Sequence, residues 1–299
     1  MIIYHDNGSY HFFGQHFIRS GVNFSTVYRN TPVLYLDRLT RRRLIPGLIK
    51  YNQPECGPDD DKVICFDTHI TSGYLSWICQ TYRPRRVILW FWNPISNPAS
   101  LDLMPRKAEI WSYSWEDCRK YGLQFNTTFY FDDLAAEAAS SPCVQNDIPC
   151  VFFAGREKGR ESFLSSFRQT VLDKGAVPEI HIMKNREGRL DHAPGREKFM
   201  TYEEITRCIR KADILLDYSC DPDAGLSLRP MEALFWNKKL ITNNRSIRHY
   251  DFYHPDNIYL LGEDSRDLGD FIHSPGRQVP DHIKNQYLLS SWLKRFDRQ

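Results

Sequence analysis

Arg229 and Glu232 stand three residues apart in a stretch where Leu228, Met231, Leu234 and Phe235 recur at helical spacing. That spacing puts the cation and the carboxylate on one helical face near its start, with Pro230 tolerated in the first turn. Ahead of them, Ile214 to Tyr218 is a short apolar run ending in polar residues, the pattern of a buried parallel strand. Between the two lies a loop containing Asp, Pro and Gly, in which Gly225 lets a ligand approach the backbone closely. Strand, loop and helix in that order aim free backbone N–H groups and the positive helix end at one place, which suits a phosphate. Arg229 can add a bidentate contact, and Glu232 can accept from the hydroxyls of a ribose. A cation for diphosphate and an anion for a diol describe a nucleotide sugar. An ordinary helix-surface ion pair has the same spacing, so both readings stand at this point.

A second phosphate-directed element lies upstream. Cys150 to Ala154 is an apolar strand, and Gly155-Arg156-Glu157-Lys158-Gly159-Arg160 follows it directly before a helix over Glu161 to Lys174. A glycine turn carrying three cations between strand and helix converges with the start of the Leu228 helix if the two strands are parallel. The alternative is a solvated loop. The turn is neither G-x-G-x-x-G nor a P-loop, so a nicotinamide or ATPase function has no motif behind it.

The run Gly225, Leu226, Ser227, Arg229, Glu232, Ala233, Leu234, Lys238, Lys239, Leu240, Ile241, Thr242 and Asn243 resembles the donor-binding segment of bacterial GT-B-fold glycosyltransferases that build capsule, lipopolysaccharide and exopolysaccharide. Ser227 stands where that pattern has threonine, which keeps the hydroxyl. The resemblance extends from about Val63 to Leu261. It implies an α/β protein of two Rossmann-like domains facing a cleft. It also implies hexosyl transfer from a nucleoside diphosphate sugar, such as a UDP-sugar, to a saccharide acceptor that is lipid-linked in such pathways. In that family the turn at Gly155 lies against the donor phosphates, and a C-terminal helix crosses back onto the first domain.

Transfer of a sugar from a nucleoside diphosphate needs charge stabilisation of the leaving group and, for inversion, a base for the acceptor hydroxyl. Arg229, Lys158, Arg160 and the helix end could supply the first without a metal, and no cofactor is expected. The base is sought at the carboxyl end of the strand Val63 to Asp67, where ligands bind in open α/β sheets. Asp67 and His69 are the candidates, with Glu116 and Asp117 behind them; His5 and Asp6 also remain. A helix cap for Asp67 and a core position for His69 are the plainer alternatives. Asp59-Asp60-Asp61 falls in a polar connection, and Asp221-Pro222-Asp223 has D-x-D spacing but belongs to the donor loop, so no metal site is expected.

The elements that must position these residues follow from length and pattern. With 299 residues and 41% hydrophobic content, two domains are expected. The first covers residues 1–132, on the acceptor side. It begins with a strand at Met1 to Tyr4 and continues through Val33 to Leu36, Val63 to Asp67, a helix over Thr71 to Tyr82, Val87 to Trp92, Ile110 to Ser112 and Thr128 to Phe131. Ser114 is placed to cap a helix over Trp115 to Tyr121, whereas Tyr10 to Phe17 shows no clear period. Residues 133–149 read as a linker, 150–280 as the donor domain, and 281–299 as a terminal helix. In the donor domain Glu179 to Met183, Lys239 to Thr242 and Ile258 to Leu261 are further strands, and Tyr202 to Ala212 a helix.

Lys plus Arg number 39 against 37 for Asp plus Glu, which argues against a dedicated nucleic-acid binder. Eight cysteines without a C-x-x-C pair fit reduced thiols in a cytoplasmic protein, and no apolar run is long enough to span a bilayer. Arg38 to Tyr51, with four arginines and a lysine among Leu and Ile, suits either peripheral contact with the cytoplasmic face of the inner membrane or a solvated helix. Two rival classes remain: a glycosyltransferase-like module that binds nucleotide sugar without turnover, and a Rossmann oxidoreductase, which would bind a dinucleotide.

Overall fold

A computed structural model describes residues 2–3, 10–25, 62–67, 72–81, 83–142, 146–156, 159–183, 200–223 and 225–297. The expected strand Val33 to Leu36, the basic segment Arg38 to Tyr51, and His5, Asp6, Asp59 to Asp61, His69 and Lys158 lie outside these residues. The chain divides into two compact units, Met1–Thr127 and Thr128–Gln299.

The first unit runs β1 (Ile2–Ile3), α1 (Tyr10–Arg19), β2 (Phe24–Ser25), β3 (Lys62–Phe66), α2 (Ser72–Thr81), β4 (Arg86–Phe91), β5 (Ala108–Ser112), α3 (Trp115–Tyr121) and β6 (Gln124–Phe125). Its sheet has the order β2-β1-β3-β4-β5-β6 with every pair parallel. The strands are apolar on both faces, as a sheet covered on both sides requires. Val63, Cys65, Val87 and Leu89 pack on Tyr74, Leu75 and Ile78 of α2. On the opposite face Phe66 meets Trp90 and Phe17 of α1 edge to face, at 5.0 and 5.9 Å between centroids. The segment without a clear period is therefore a helix; it buries Phe17 and His16. Ser114 caps α3 by accepting from Asp117 N at 3.2 Å, and Gly122, at φ 67°, ends it.

The second unit contains α4 (Asp132–Ser140), β7 (Cys150–Arg156), α5 (Glu161–Asp173), β8 (Val177–Met183), α6 (Tyr202–Lys211), β9 (Ile214–Asp217), α7 (Leu228–Phe235), β10 (Lys239–Thr242), β11 (Ile258–Leu260), α8 (Leu268–His273), α9 (Asp281–Lys284) and α10 (Leu289–Arg295). Its sheet is parallel in the order β11-β10-β9-β7-β8. Val151, Phe153, Ile214, Leu216 and Ile241 bury against Leu164, Phe167 and Val171 of α5 and Phe271 and Ile272 of α8. A capping box starts α6: Thr201 Oγ1 accepts from Glu204 N at 3.2 Å, and Glu204 Oε2 accepts from Thr201 N at 2.6 Å.

Three local expectations are revised. Residues 132–140, read as part of a connection, form α4, whose Leu134 and Ala138 are buried. Thr128 to Phe131 is not a strand; Tyr130 instead makes a single parallel bridge with Leu288. That bridge breaks the long helix expected over 281–296. Tyr130 N donates to Tyr287 O at 2.7 Å and Leu289 N to Tyr130 O at 2.8 Å, which holds Leu288 extended. The helix restarts as α10 beneath the Asp132 carboxylate, which accepts from Ser290 N at 3.1 Å.

Candidate functional site

In the second sheet the strand order reverses between β7 and β9, the kind of place where chain leaving adjacent carboxyl ends diverges to opposite faces and a binding crevice forms in open α/β sheets. Both segments expected to face a phosphate begin there. Arg156 ends β7 and is exposed, Gly159 makes the turn at φ 76°, and Arg160 precedes α5. Arg160 stands at the N-cap of α5 without capping it through its own side chain. Across the crevice, Ser227 Oγ caps α7 by accepting from Arg229 N at 3.2 Å, while Gly225 is buried with its carbonyl accepting from Asn244 Nδ2 at 3.3 Å.

The two arginines brace the two loops reciprocally. Arg160, after β7, donates through Nη1 to Tyr218 O, just past β9, and through Nε to Arg156 O at 2.9 Å. Arg229, after β9, donates through Nη2 to Ala154 O of β7 at 3.0 Å. Each guanidinium also lies over a phenylalanine of β7: Arg160 over Phe153 at 5.0 Å and Arg229 over Phe152 at 5.5 Å. Neighbouring residues of a strand face opposite ways, so the cations close on the end of β7 from both sides of the sheet. Gly155 is what permits the approach, since a Cβ there would stand 2.8 Å from Arg160 Nη2 and 3.0 Å from Phe153 Cζ. Phe163 of α5 stacks on Tyr218 with centroids 3.6 Å apart.

Glu232 lies inside the unit, beside Arg229. It is 1% exposed, with Oε1 accepting from the Tyr202 hydroxyl at 2.6 Å and Oε2 standing 2.6 Å from Arg229 Nη1. In this arrangement its carboxylate faces Arg229, and the pair is buried rather than lying on a helix surface. Burial raises its pKa against the opposing pull of Arg229 and Tyr202. Asp217, at the end of β9, was missed by sequence reasoning although the rule that selected Asp67 applies to it equally. Its carboxylate accepts from Ser227 Oγ at 3.0 Å and Thr242 Oγ1 at 3.3 Å. Burial raises Asp217 too, with Arg229 and Arg160 opposing. Two arginines are thus matched by two carboxylates.

Asp67 lies at the carboxyl end of β3, beside the order reversal between β1 and β3. Its carboxylate accepts from Trp92 N at 3.2 Å and from Asn93 Nδ2 at 3.0 Å. Burial raises its pKa to about 6. Asp117 accepts from Ile95 N at 3.2 Å, and Glu116 is exposed. In the loop between β9 and α7, Asp221 accepts from Asp223 N at 3.2 Å and Asp223 faces Arg245 at 3.8 Å, so this pair is used in the turn itself. Among the described residues no group of three His, Cys, Asp or Glu could hold a metal, the six described cysteines are free, and no helix is long and apolar enough to cross a membrane.

No family model matches this chain, and no curated protein does. Among solved structures, the catalytic domain of Starch Synthase IV from Arabidopsis thaliana, bound to ADP and acarbose, is similar over 91% of this chain and 72% of its own, at 10% identity and a TM-score of 0.43. A likeness of that size decides nothing about what this chain binds. The crevice has to carry that question.

Proposed function

We propose that the protein is a glycosyltransferase of GT-B architecture, which takes a sugar from a nucleoside diphosphate donor bound in the crevice of the second unit and passes it to a saccharide acceptor. The observation that carries the proposal is the reciprocal bracing of Arg160 and Arg229 at the carboxyl ends of two adjacent parallel strands. Two guanidinium groups and the start of α5 at one strand reversal suit a diphosphate, and in this reading the same groups stabilise the leaving diphosphate as the glycosidic bond to the donor breaks. Lys158 adds charge to the same turn. In this reading Ser227 and Gly225 shape the loop, Glu232 orients Arg229, and Asp67 takes the proton of the acceptor hydroxyl, with His69 as the second candidate. A pKa of about 6 suits Asp67 to that task at neutral pH. The likeness of the 225–243 segment to capsule and lipopolysaccharide enzymes points to surface-polysaccharide synthesis, with a lipid-linked acceptor at the cytoplasmic face of the membrane.

Thermal-shift measurements with UDP, GDP, ADP, CMP and NAD test the donor class: a nucleoside diphosphate should raise the melting temperature and NAD should not. NMR analysis of products with the stabilising donor then tests turnover. Stabilisation by NAD alone rejects the reading in favour of an oxidoreductase. Stabilisation by a nucleoside diphosphate without transfer to any saccharide acceptor would leave a binding module.

A further inference from the structure

The amino-terminal edge of the first sheet lies at the opposite end of the strands from Asp67, and the proposed transfer does not use it. Parallel register brings the strand starts side by side there: Lys62 pairs with Arg86, and Val87 with Ala108, which sets Arg86 beside Lys107. The nearby carboxylate, Glu109, is already held in a fork by Arg86, whose Nε and Nη2 both stand 2.6 Å from its oxygens. Next to this fork is a pocket of about 680 Å³ lined by Arg83, Arg85 and Lys107 together with Cys79 and Val87. Among the described residues, none of these three cations has an acidic partner. Three like charges around one concavity repel one another, and a bound anion converts that repulsion into attraction.

Arg83 supplies an independent sign. It lies two residues past the end of α2 with φ 47°, in the left-handed region that helix ends normally give to glycine or asparagine. Glycine would make the same turn without strain, so the backbone conformation alone gives no reason for an arginine. Residues held in such conformations cluster at ligand clamps.

We infer that Arg83, Arg85 and Lys107 form a binding site for a phosphate group, separate from the crevice of the second unit. Two guanidinium groups and an ammonium lining one concavity supply the charge-assisted donors that a phosphate monoester or diphosphate accepts. The phosphate could belong to a soluble compound or to the headgroup of an anionic lipid. Two arms distinguish these sources on the full chain. In the first, amide hydrogen exchange is followed with and without pyrophosphate; in the second, flotation is compared on vesicles of phosphatidylglycerol and of phosphatidylcholine.

A soluble ligand predicts pyrophosphate protection over residues 83–87 and 106–109, lost in an Arg83→Gly, Arg85→Ala, Lys107→Ala variant. A headgroup predicts flotation with phosphatidylglycerol only, weakened at least tenfold in the same variant and by raised salt. Arg83→Gly alone serves as the folding control, because relief of the left-handed arginine should hold or raise the melting temperature while binding falls. The inference is overturned if pyrophosphate leaves both segments unprotected and vesicle flotation is absent or undiminished in the triple variant.

Discussion

The largely buried Asp67 carboxylate accepts hydrogen bonds from Trp92 N and Asn93 Nδ2, and burial is the stronger influence: its pKa rises to about 6. Because the folded state holds this proton more tightly than the unfolded chain, stability falls as pH rises from about 4 to about 6, by no more than about 3 kcal/mol. Asp67→Asn should flatten that part of a stability–pH profile measured by urea unfolding. If Asp67 is the base, kcat/KM should decline below pH 6 in the native protein, and the variant should lose turnover while keeping nucleotide affinity. Glu232 makes a different demand. Tyr202→Phe removes the donor to a buried carboxylate and should cost about 1.5–3 kcal/mol. The freed carboxylate then leaves Arg229 less firmly oriented, so calorimetry should also record weaker binding of a nucleoside diphosphate. Unchanged affinity in Tyr202→Phe would mean that Arg229 is held well enough by Ala154 O alone.

Elements read well wherever one pattern decided them. The run Ile214 to Asp217 and the helical period from Leu228 to Phe235 sit where sequence placed them, because a buried strand and a half-buried helix each leave a periodic trace. β7 extends two residues further than its apolar run, to Arg156, because pairing with Ile182 and Met183 holds Gly155 and Arg156 in the sheet. Where distant residues decide, sequence was mute. The break at Leu288 depends on Tyr130, and the burial of Glu232 depends on Tyr202 thirty residues earlier. In α1 the mixture of aromatics and histidines hides the helical period. Two substitutions probe elements rather than single contacts. Gly155→Ala should lower the melting temperature, since the added Cβ presses on the buried Phe153 ring as well as on the tip of Arg160, and it should weaken diphosphate binding by pushing that tip off Tyr218 O. Asp132→Ala removes the carboxylate that caps α10 and should cost about 1 kcal/mol, read as a lower urea midpoint at constant m.

At the scale of the whole chain, two cores of separate composition predict that ligands act locally. A nucleoside diphosphate at a hundred times its Kd stabilises its host by about 2.7 kcal/mol. Hydrogen exchange should place the gain in β7, β9 and the start of α7 and leave β3 to β5 unaffected. Protection spread evenly over both units would contradict a site confined to the second. The matched arginines and carboxylates of the crevice carry one more consequence. With two positive and two negative groups in register, the empty cradle offers an arriving polyanion little net attraction, so capture should draw hydrogen ions from solution onto Asp217 or Glu232, whose acidities burial has already weakened. The heat of association should therefore vary with the ionisation enthalpy of the buffer, and affinity should climb as the medium is made mildly acidic.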